Sequence, residues 1–305
     1  MSNFAYTSEG APLFEKALPI CFNEKDAEII MYRIEDKLGK HDNLRLLDIG
    51  VGTGQVFIPL YKKLTNQTTD CTAFVVDNNA NMLKCFRENC MNQGIDLGAI
   101  KILQKNFKEL TTNDCYYFGK EDIILMTRVL HQLREWQIFL KDLLPKLNSG
   151  GVIIFTESFG DLYEALNFVK PTRNSQKAIS LFQNINYVFG GKHRKFIMGK
   201  AETKISAIHM KPVRDFFESK GFTIEKLMEI RWEDNKNSWN DYLKFIRKRV
   251  FTPIFLPFTK KEPEYETKIQ LLDKKMQETF REHNWELDRP VNEKLGVSFY
   301  CCFRG

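Results

Sequence analysis

Residues Leu46–Gln55 read LLDIGVGTGQ. An apolar run meets an acid, Asp48, and three glycines follow at alternate positions, Gly50, Gly52 and Gly54. Leu44–Ile49 has the near-continuous apolar character of a strand buried on both faces. Glycines directly after such a strand allow positive φ and let the backbone approach a ligand closely. The spacing departs from the dinucleotide fingerprint Gly-x-Gly-x-x-Gly, because the third glycine comes one residue early. An acid two residues before the first glycine would repel a pyrophosphate. It favours a ligand that carries positive charge.

On either side, strand-like and helix-like segments alternate. Residues 24–38 carry apolar residues at helical spacing. After the glycines, 55–64 reads as a helix, 71–77 as a second buried strand, 81–91 as a second helix and 99–106 as a third strand. DIILMT (122–127) is a fourth strand, and a long amphipathic helix is expected from Val129 to Leu147, ended by Ser149-Gly150-Gly151. GVIIFTES (151–158) is a fifth strand. Further on, 213–221 reads as a helix, 222–230 as a sixth strand and 297–303 as the last. This alternation predicts an α/β fold: a doubly wound, seven-stranded, mostly parallel sheet with an antiparallel last strand. One domain is expected over 1–305, with an N-terminal helical cap (1–40) and helical insertions at 159–209 and 233–295 that form a lid over the substrate.

Composition is that of a soluble globular chain, 43% apolar and 28% charged. No apolar run approaches the roughly 18 residues that span a bilayer, and the N-terminus has no signal-peptide core. A cytoplasmic protein with no membrane partner is expected. The seven cysteines form no Cys-x-x-Cys, so buried reduced thiols and no structural metal are expected. The net charge of +6 is uneven: 18 basic and 19 acidic residues lie in 1–150, against 27 and 20 in 151–305. Residues 165–214 hold ten Lys or Arg and a single acid, Glu202. Gly190-Gly191, just before the basic KHRK, reads as a mobile turn.

Asp48-x-Gly50-x-Gly52-x-Gly54 resembles the first motif of class I S-adenosylmethionine-dependent methyltransferases, and VVDNNANML (75–83) resembles their second. RVLHQL and LLPKLNSGGVIIFTES resemble the segment through the fourth and fifth strands. The resemblance covers about 40–158, with weaker matches at 210–230 and 296–303. It implies S-adenosyl-L-methionine as cofactor, held by Asp48, Gly50, Gly52, Gly54 and Gln55. Asp77 would take the ribose hydroxyls, beside Asn78 and Met82. QKNF (104–107) falls where the family contacts adenine. The usual acid there is Asn106 in this chain, followed by Phe107. Thr127 and Arg128, after the fourth strand, are expected to line the pocket.

Methyl transfer from a sulfonium is an in-line displacement, so alignment is the enzyme's main task. A base helps only where the acceptor must lose a proton. His131, past the fourth strand, and Glu157, ending the fifth, are the candidates. The chain has neither the Asn/Asp-Pro-Pro-aromatic motif of base-amine methyltransferases nor the Pro-Cys of cytosine-C5 enzymes. Both insertions are rich in aromatics, and Phe4 and Tyr6 could close over the site. The layout is similar to that of histamine N-methyltransferases, which implies a small-molecule acceptor methylated on nitrogen or oxygen. An anionic acceptor is one reading of the basic segment. The alternative is an RNA- or protein-directed methyltransferase that uses 165–214.

Overall fold

The computed structural model describes residues 8–38, 43–67, 70–106, 120–130, 133, 135–166, 171, 175–197, 210–248, 250 and 262–304, with backbone alone at 67, 161, 190–197, 262 and 263. Seven strands, β1 (Asn43–Ile49), β2 (Asp70–Asp77), β3 (Ile100–Gln104), β4 (Glu121–Met126), β5 (Leu147–Phe159), β6 (Phe222–Asp234) and β7 (Glu293–Arg304), form one sheet in the order β3-β2-β1-β4-β5-β7-β6. Strands β3 to β5 run parallel, with Asp48 opposite Val75 on one side and Leu125 on the other. The last pair is antiparallel. The helices are α1 (Phe14–Ala17), α2 (Glu24–Leu38), α3 (Phe57–Gln67), α4 (Ala80–Asn92), α5 (Trp136–Leu143), α6 (Asp161–Leu166), α7 (Gln176–Ile197), α8 (Lys211–Ser219), α9 (Trp239–Arg247) and α10 (Glu262–Glu282).

The chain falls into two compact units. One, the sheet unit, comprises 20–157, 203–230 and 297–305. Its core joins Leu47 and Ile49 of β1, Phe74 and Val76 of β2, Ile124 and Met126 of β4 and Phe155 of β5 to Trp136 of α5 and Phe217 of α8. Burial on both faces explains the unbroken apolar runs of these strands. Two acids open β4. Glu121 is fully buried and meets Arg45 at 3.2 Å. Asp122 accepts from the Arg45 amide at 2.9 Å and from Asn148 Nδ2 at 2.6 Å.

The other, the insertion unit, comprises 1–19, 158–202 and 231–296. Trp239, Tyr242, Tyr265, Phe189 and Phe280 are its largest buried side chains. Helix α9 starts with a capping box, Ser238 and Asp241 exchanging side-chain and backbone bonds. A buried polar network holds the unit together. The Asp234 carboxylate accepts from the Tyr242 hydroxyl at 2.6 Å and from Asn237, whose Nδ2 also reaches the Lys16 carbonyl at 2.9 Å. Gly160 has φ +118, and a Cβ there would lie 2.4 Å from the Lys294 carbonyl oxygen, so only glycine fits.

Three local expectations are corrected. Helix α5 starts at Trp136, not Val129, and ends in a 3-10 turn, Leu144–Lys146, because Pro145 cannot continue an α-helix. Gly150 is no helix cap. It lies inside β5 at φ +80, where residues 148–151 bulge opposite Asp122 alone. Gly190-Gly191 is no turn either, since α7 runs through both to Ile197. Each glycine costs such a helix roughly 1 kcal/mol relative to alanine. Phe4 and Tyr6 lie outside the described residues.

Candidate cofactor site

The strand order reverses direction between β1 and β4, the topological switch point at which open α/β sheets bind ligands. The register of β1 with β4 ends at Asp48 and Leu125, and beyond it β1 turns toward β2: the amides of Gly50 and Val51 both donate to the Val76 carbonyl, at 2.7 and 3.2 Å. The glycine loop thus stands where β1 and β4 part, the position of the ligand crevice in open α/β sheets. Gly50, Gly52 and Gly54 have φ of +76, +56 and +90. All three therefore need the left-handed region, for which residues with a Cβ are poorly suited. Their surroundings differ. A Cβ on Gly54 would meet Phe86 at 2.8 Å and Ile58 at 2.9 Å, whereas one on Gly52 would have only the Gly50 carbonyl at 4.0 Å. Gly54 thus serves close packing of loop against α3 and α4, and Gly52 borders open space.

Asp77, at the end of β2, closes the side of the crevice. Its carboxylate accepts from the amides of Gly52 at 3.0 Å and Asn79 at 2.8 Å. It thereby joins the two motifs read from the sequence. Burial pushes its carboxyl up to about 6, against the three amides of Asn79, Gly52 and Asn78, which pull it down. Asn79 caps α4, its Oδ1 accepting from the amides of Asn81 and Met82. Asn89 donates to the Thr53 carbonyl at 3.0 Å and fixes the loop from α4.

Asp48 is 1% exposed, and its Oδ1 has no partner among the described residues. Burial first, and the charge of Asp77 second, raise its carboxyl well above the usual range. An unpaired buried oxygen has a cost that a donor or a cation would relieve. Asp48 directly before the loop, and Asp77 bonded to its Gly52 amide, fit a ligand that brings a cationic centre and hydroxyl donors. They do not fit a pyrophosphate.

The other expected residues are placed as follows. Asn106 stands just past β3, two positions after Gln104, the register partner of Asp77. Asn78 is half-buried, and Met82 is core, 1% exposed. The Gln55 side chain turns to the preceding segment, its Oε1 accepting from the Ile20 amide at 2.6 Å. Thr127 and Arg128 follow β4 at the crevice and are half-buried. Glu157 is engaged within the sheet unit. Its Oε1 accepts from the Met210 amide at 3.0 Å, and its Oε2 from Arg214 at 2.7 Å and the Tyr300 hydroxyl at 3.0 Å. His131 and Phe107 lie outside the described residues. The supporting contacts of Asn79 and Asn89 were not read from the sequence. Asn79, two residues past the acid and directly before α4, carries a capping signal that could have been read; Asn89 carries none.

Among the described residues no group of three or more His, Cys, Asp or Glu is placed to hold a metal ion. None of their helices is long and apolar enough to cross a membrane. The described cysteines are free, and burial pushes the thiols of Cys71, Cys90 and Cys301 up to about 12.

A seven-stranded sheet in this order, with an acid, a glycine loop and a second acid at its switch point, defines the class I S-adenosylmethionine-dependent methyltransferases. The profile of a methyltransferase domain family matches residues 40–205, more than half of the chain, and the chain belongs to that family. S-adenosylmethionine is its cofactor. Among solved structures, the YcgJ protein of Bacillus subtilis is 12% identical, with TM-score 0.49, over 91% of this chain and 99% of that one. Precorrin-6y C5,15-methyltransferase of Geobacter metallireducens is 12% identical, with TM-score 0.46, over 98% and 100%. A phosphoethanolamine N-methyltransferase of Haemonchus contortus, in complex with phosphomonomethylethanolamine and S-adenosylhomocysteine, is 13% identical, with TM-score 0.45, over 99% of this chain and 58% of that one. None is similar enough to lend this chain a substrate. No curated protein matches the sequence. The family match says nothing of the histamine N-methyltransferase layout.

Proposed function

We propose that this methyltransferase acts on a nitrogen or oxygen of a small molecule, with the cofactor in the crevice of Asp48, Gly50, Gly52, Gly54, Asp77 and Asn78. When bound, the cofactor supplies an electrophilic methyl group on a sulfonium. The chain's own residues bind and orient. Asp77 offers its carboxylate to the ribose hydroxyls, steadied by the Gly52 and Asn79 amides. Asp48 offers a buried oxygen to the cationic amino-acid end. Asn106, beside the β3 end, offers an amide to the adenine, and Thr127 and Arg128 form the opposite wall. Met82 supports the crevice from the core. Gln55 holds the segment before α2 in place and acts on the cofactor through the loop. With its oxygens taken by three donors, Glu157 is read as an anchor for the start of α8, and no general base is assigned to it.

The observation that carries the small-molecule reading is the insertion unit. It is a compact unit with an aromatic core, a composition that suits the handling of a small organic acceptor. In the basic segment, the described side chains are already engaged. Lys211 pairs with Asp215 at 2.7 Å, Arg214 pairs with Glu157, and Lys177 lies over Trp285 at 5.9 Å. These three therefore do not form an open phosphate-binding face. The side chains of Lys192, Arg194 and Lys195 lie outside the description, as do residues 170, 173, 200 and 204. The test is methyl transfer from labelled S-adenosylmethionine to a cell extract divided into low-molecular-weight, protein and RNA fractions. Label in the low-molecular-weight fraction is expected. Label confined to RNA or protein would overturn the reading.

A further inference from the structure

Arg128 has φ +55, in the left-handed region that residues with a side chain rarely adopt. It is the second residue after β4, on the wall of the crevice that opens beyond Asp48 and Leu125. Its amide donates to Thr156 Oγ1 at 3.1 Å. Thr156 is 3% exposed and lies on β5, one residue past Phe155, the register partner of Met126. A buried hydroxyl of the neighbouring strand thus meets the one strained residue of the turn at the switch point. Met126 before it and Val129 and Leu130 after it are buried, 1%, 4% and 1% exposed, so the chain is held on both sides of the strain. Strained backbone of this kind persists only where its surroundings over-determine it, and it concentrates at ligand sites.

We propose that Thr156 is a positioning residue for cofactor binding: its hydroxyl holds Arg128 left-handed, and that turn sets Thr127 and Arg128 as the β4 wall of the crevice. The inference rests on the cofactor placement proposed above. Beyond the Asp48–Leu125 pair the backbone of β4 has no further register partner on β1. On its other side β4 stays paired with β5 as far as Met126, and the turn begins directly after that pair, with the Thr156 hydroxyl bound to it. Arg128 in an extended conformation would continue the strand direction and change the shape of the crevice. A threonine at this place supplies an acceptor that valine, of the same shape, lacks. Serine supplies it without the methyl group.

The test is calorimetric titration with S-adenosylhomocysteine of the wild type, Thr156→Val, Thr156→Ser, Arg128→Gly and the double variant Thr156→Val/Arg128→Gly. Thr156→Val should weaken binding about fivefold, the equivalent of one neutral hydrogen bond. Thr156→Ser should stay within about twofold of wild type. Glycine adopts the left-handed turn unaided. In the Arg128→Gly background Thr156→Val should therefore change the affinity less than about twofold. A merely structural hydroxyl would lower the melting temperature and leave these affinity ratios at one. Equal weakening by Thr156→Val in both backgrounds, or none in either, overturns the inference and leaves the cofactor site standing. Failure of the wild type to bind S-adenosylhomocysteine overturns the site, and this inference with it.

Discussion

The burial of Asp77 makes cofactor affinity depend on pH. Its carboxyl is pushed up to about 6 in the ligand-free protein. Ribose hydroxyls donate to the ionised form, so binding competes with protonation. At about pH 7 an acid of this strength is roughly nine-tenths ionised, and at about pH 5 roughly one-tenth. The affinity for S-adenosylhomocysteine should fall about tenfold between those values, which is about 1.4 kcal/mol. The Asp48 carboxyl is raised too, by burial and by the charge of Asp77, and adds a dependence of the same sign if it ionises on binding. Below pH 6 binding should release protons, seen as a dependence of the calorimetric heat on the buffer's ionisation enthalpy. The stability of the ligand-free protein should move the opposite way. A folded carboxyl raised above its unfolded value binds more protons than the unfolded chain, so its contribution is full below about pH 4 and is lost as pH rises through about 6. Asp77→Asn should flatten the affinity profile to whatever slope Asp48 leaves. A constant affinity from pH 5 to 7, or an equal slope in Asp77→Asn, would refute the assignment of Asp77 as the ribose acceptor.

The two glycines of contrasting surroundings should separate binding from stability. Gly52→Val should lose S-adenosylhomocysteine binding yet remain folded by circular dichroism, at a cost of about 1–2 kcal/mol for the left-handed backbone; a variant with normal affinity would remove Gly52 from the site. Gly54→Ala should destabilise more strongly in urea unfolding, because its Cβ collides with Phe86 and Ile58 as well. Glu157→Ala should lower stability by about 1–3 kcal/mol by stranding Arg214 and the Met210 amide, with cofactor affinity kept; lost turnover at unchanged stability would instead restore Glu157 as a base. Tyr242→Phe should cost about 1–3 kcal/mol, since it leaves the buried Asp234 short of a donor, and a neutral result in thermal unfolding would deny the network its holding role.

Much of the fold could be read from the chain because its signals are local. The apolar runs of β1, β2 and β4 are long and buried, and α2 has clean helical spacing from Glu24 to Leu38. The glycines and Asp77 stand at strand ends, where the resemblance to the methyltransferase motifs could be followed residue by residue. What could not be read depends on contacts far apart in sequence. Ahead of α5 stands a turn whose Arg128 amide donates to Thr156 of β5, 28 residues away. At the bulge that holds Gly150, Asn148 donates to Asp122, 26 residues away. Glu157 is a candidate base at a strand end. Its donors come from Met210, Arg214 and Tyr300, 53, 57 and 143 residues further on. Gln55 is expected at the cofactor, and its partner Ile20 lies 35 residues before it.

The place of β7 between β5 and β6 has a consequence for how the chain is made. Synthesis runs from the N-terminus, so β6 emerges before the strand that joins it to the sheet. Until Glu293–Arg304 is available, β5 is an open edge and β6 has no neighbour. Both present unpaired amides and carbonyls, the template on which strands of other chains add. The half-made protein is therefore most exposed to aggregation while the roughly sixty residues between β6 and β7 are being translated, a window in which holding by a chaperone would matter most.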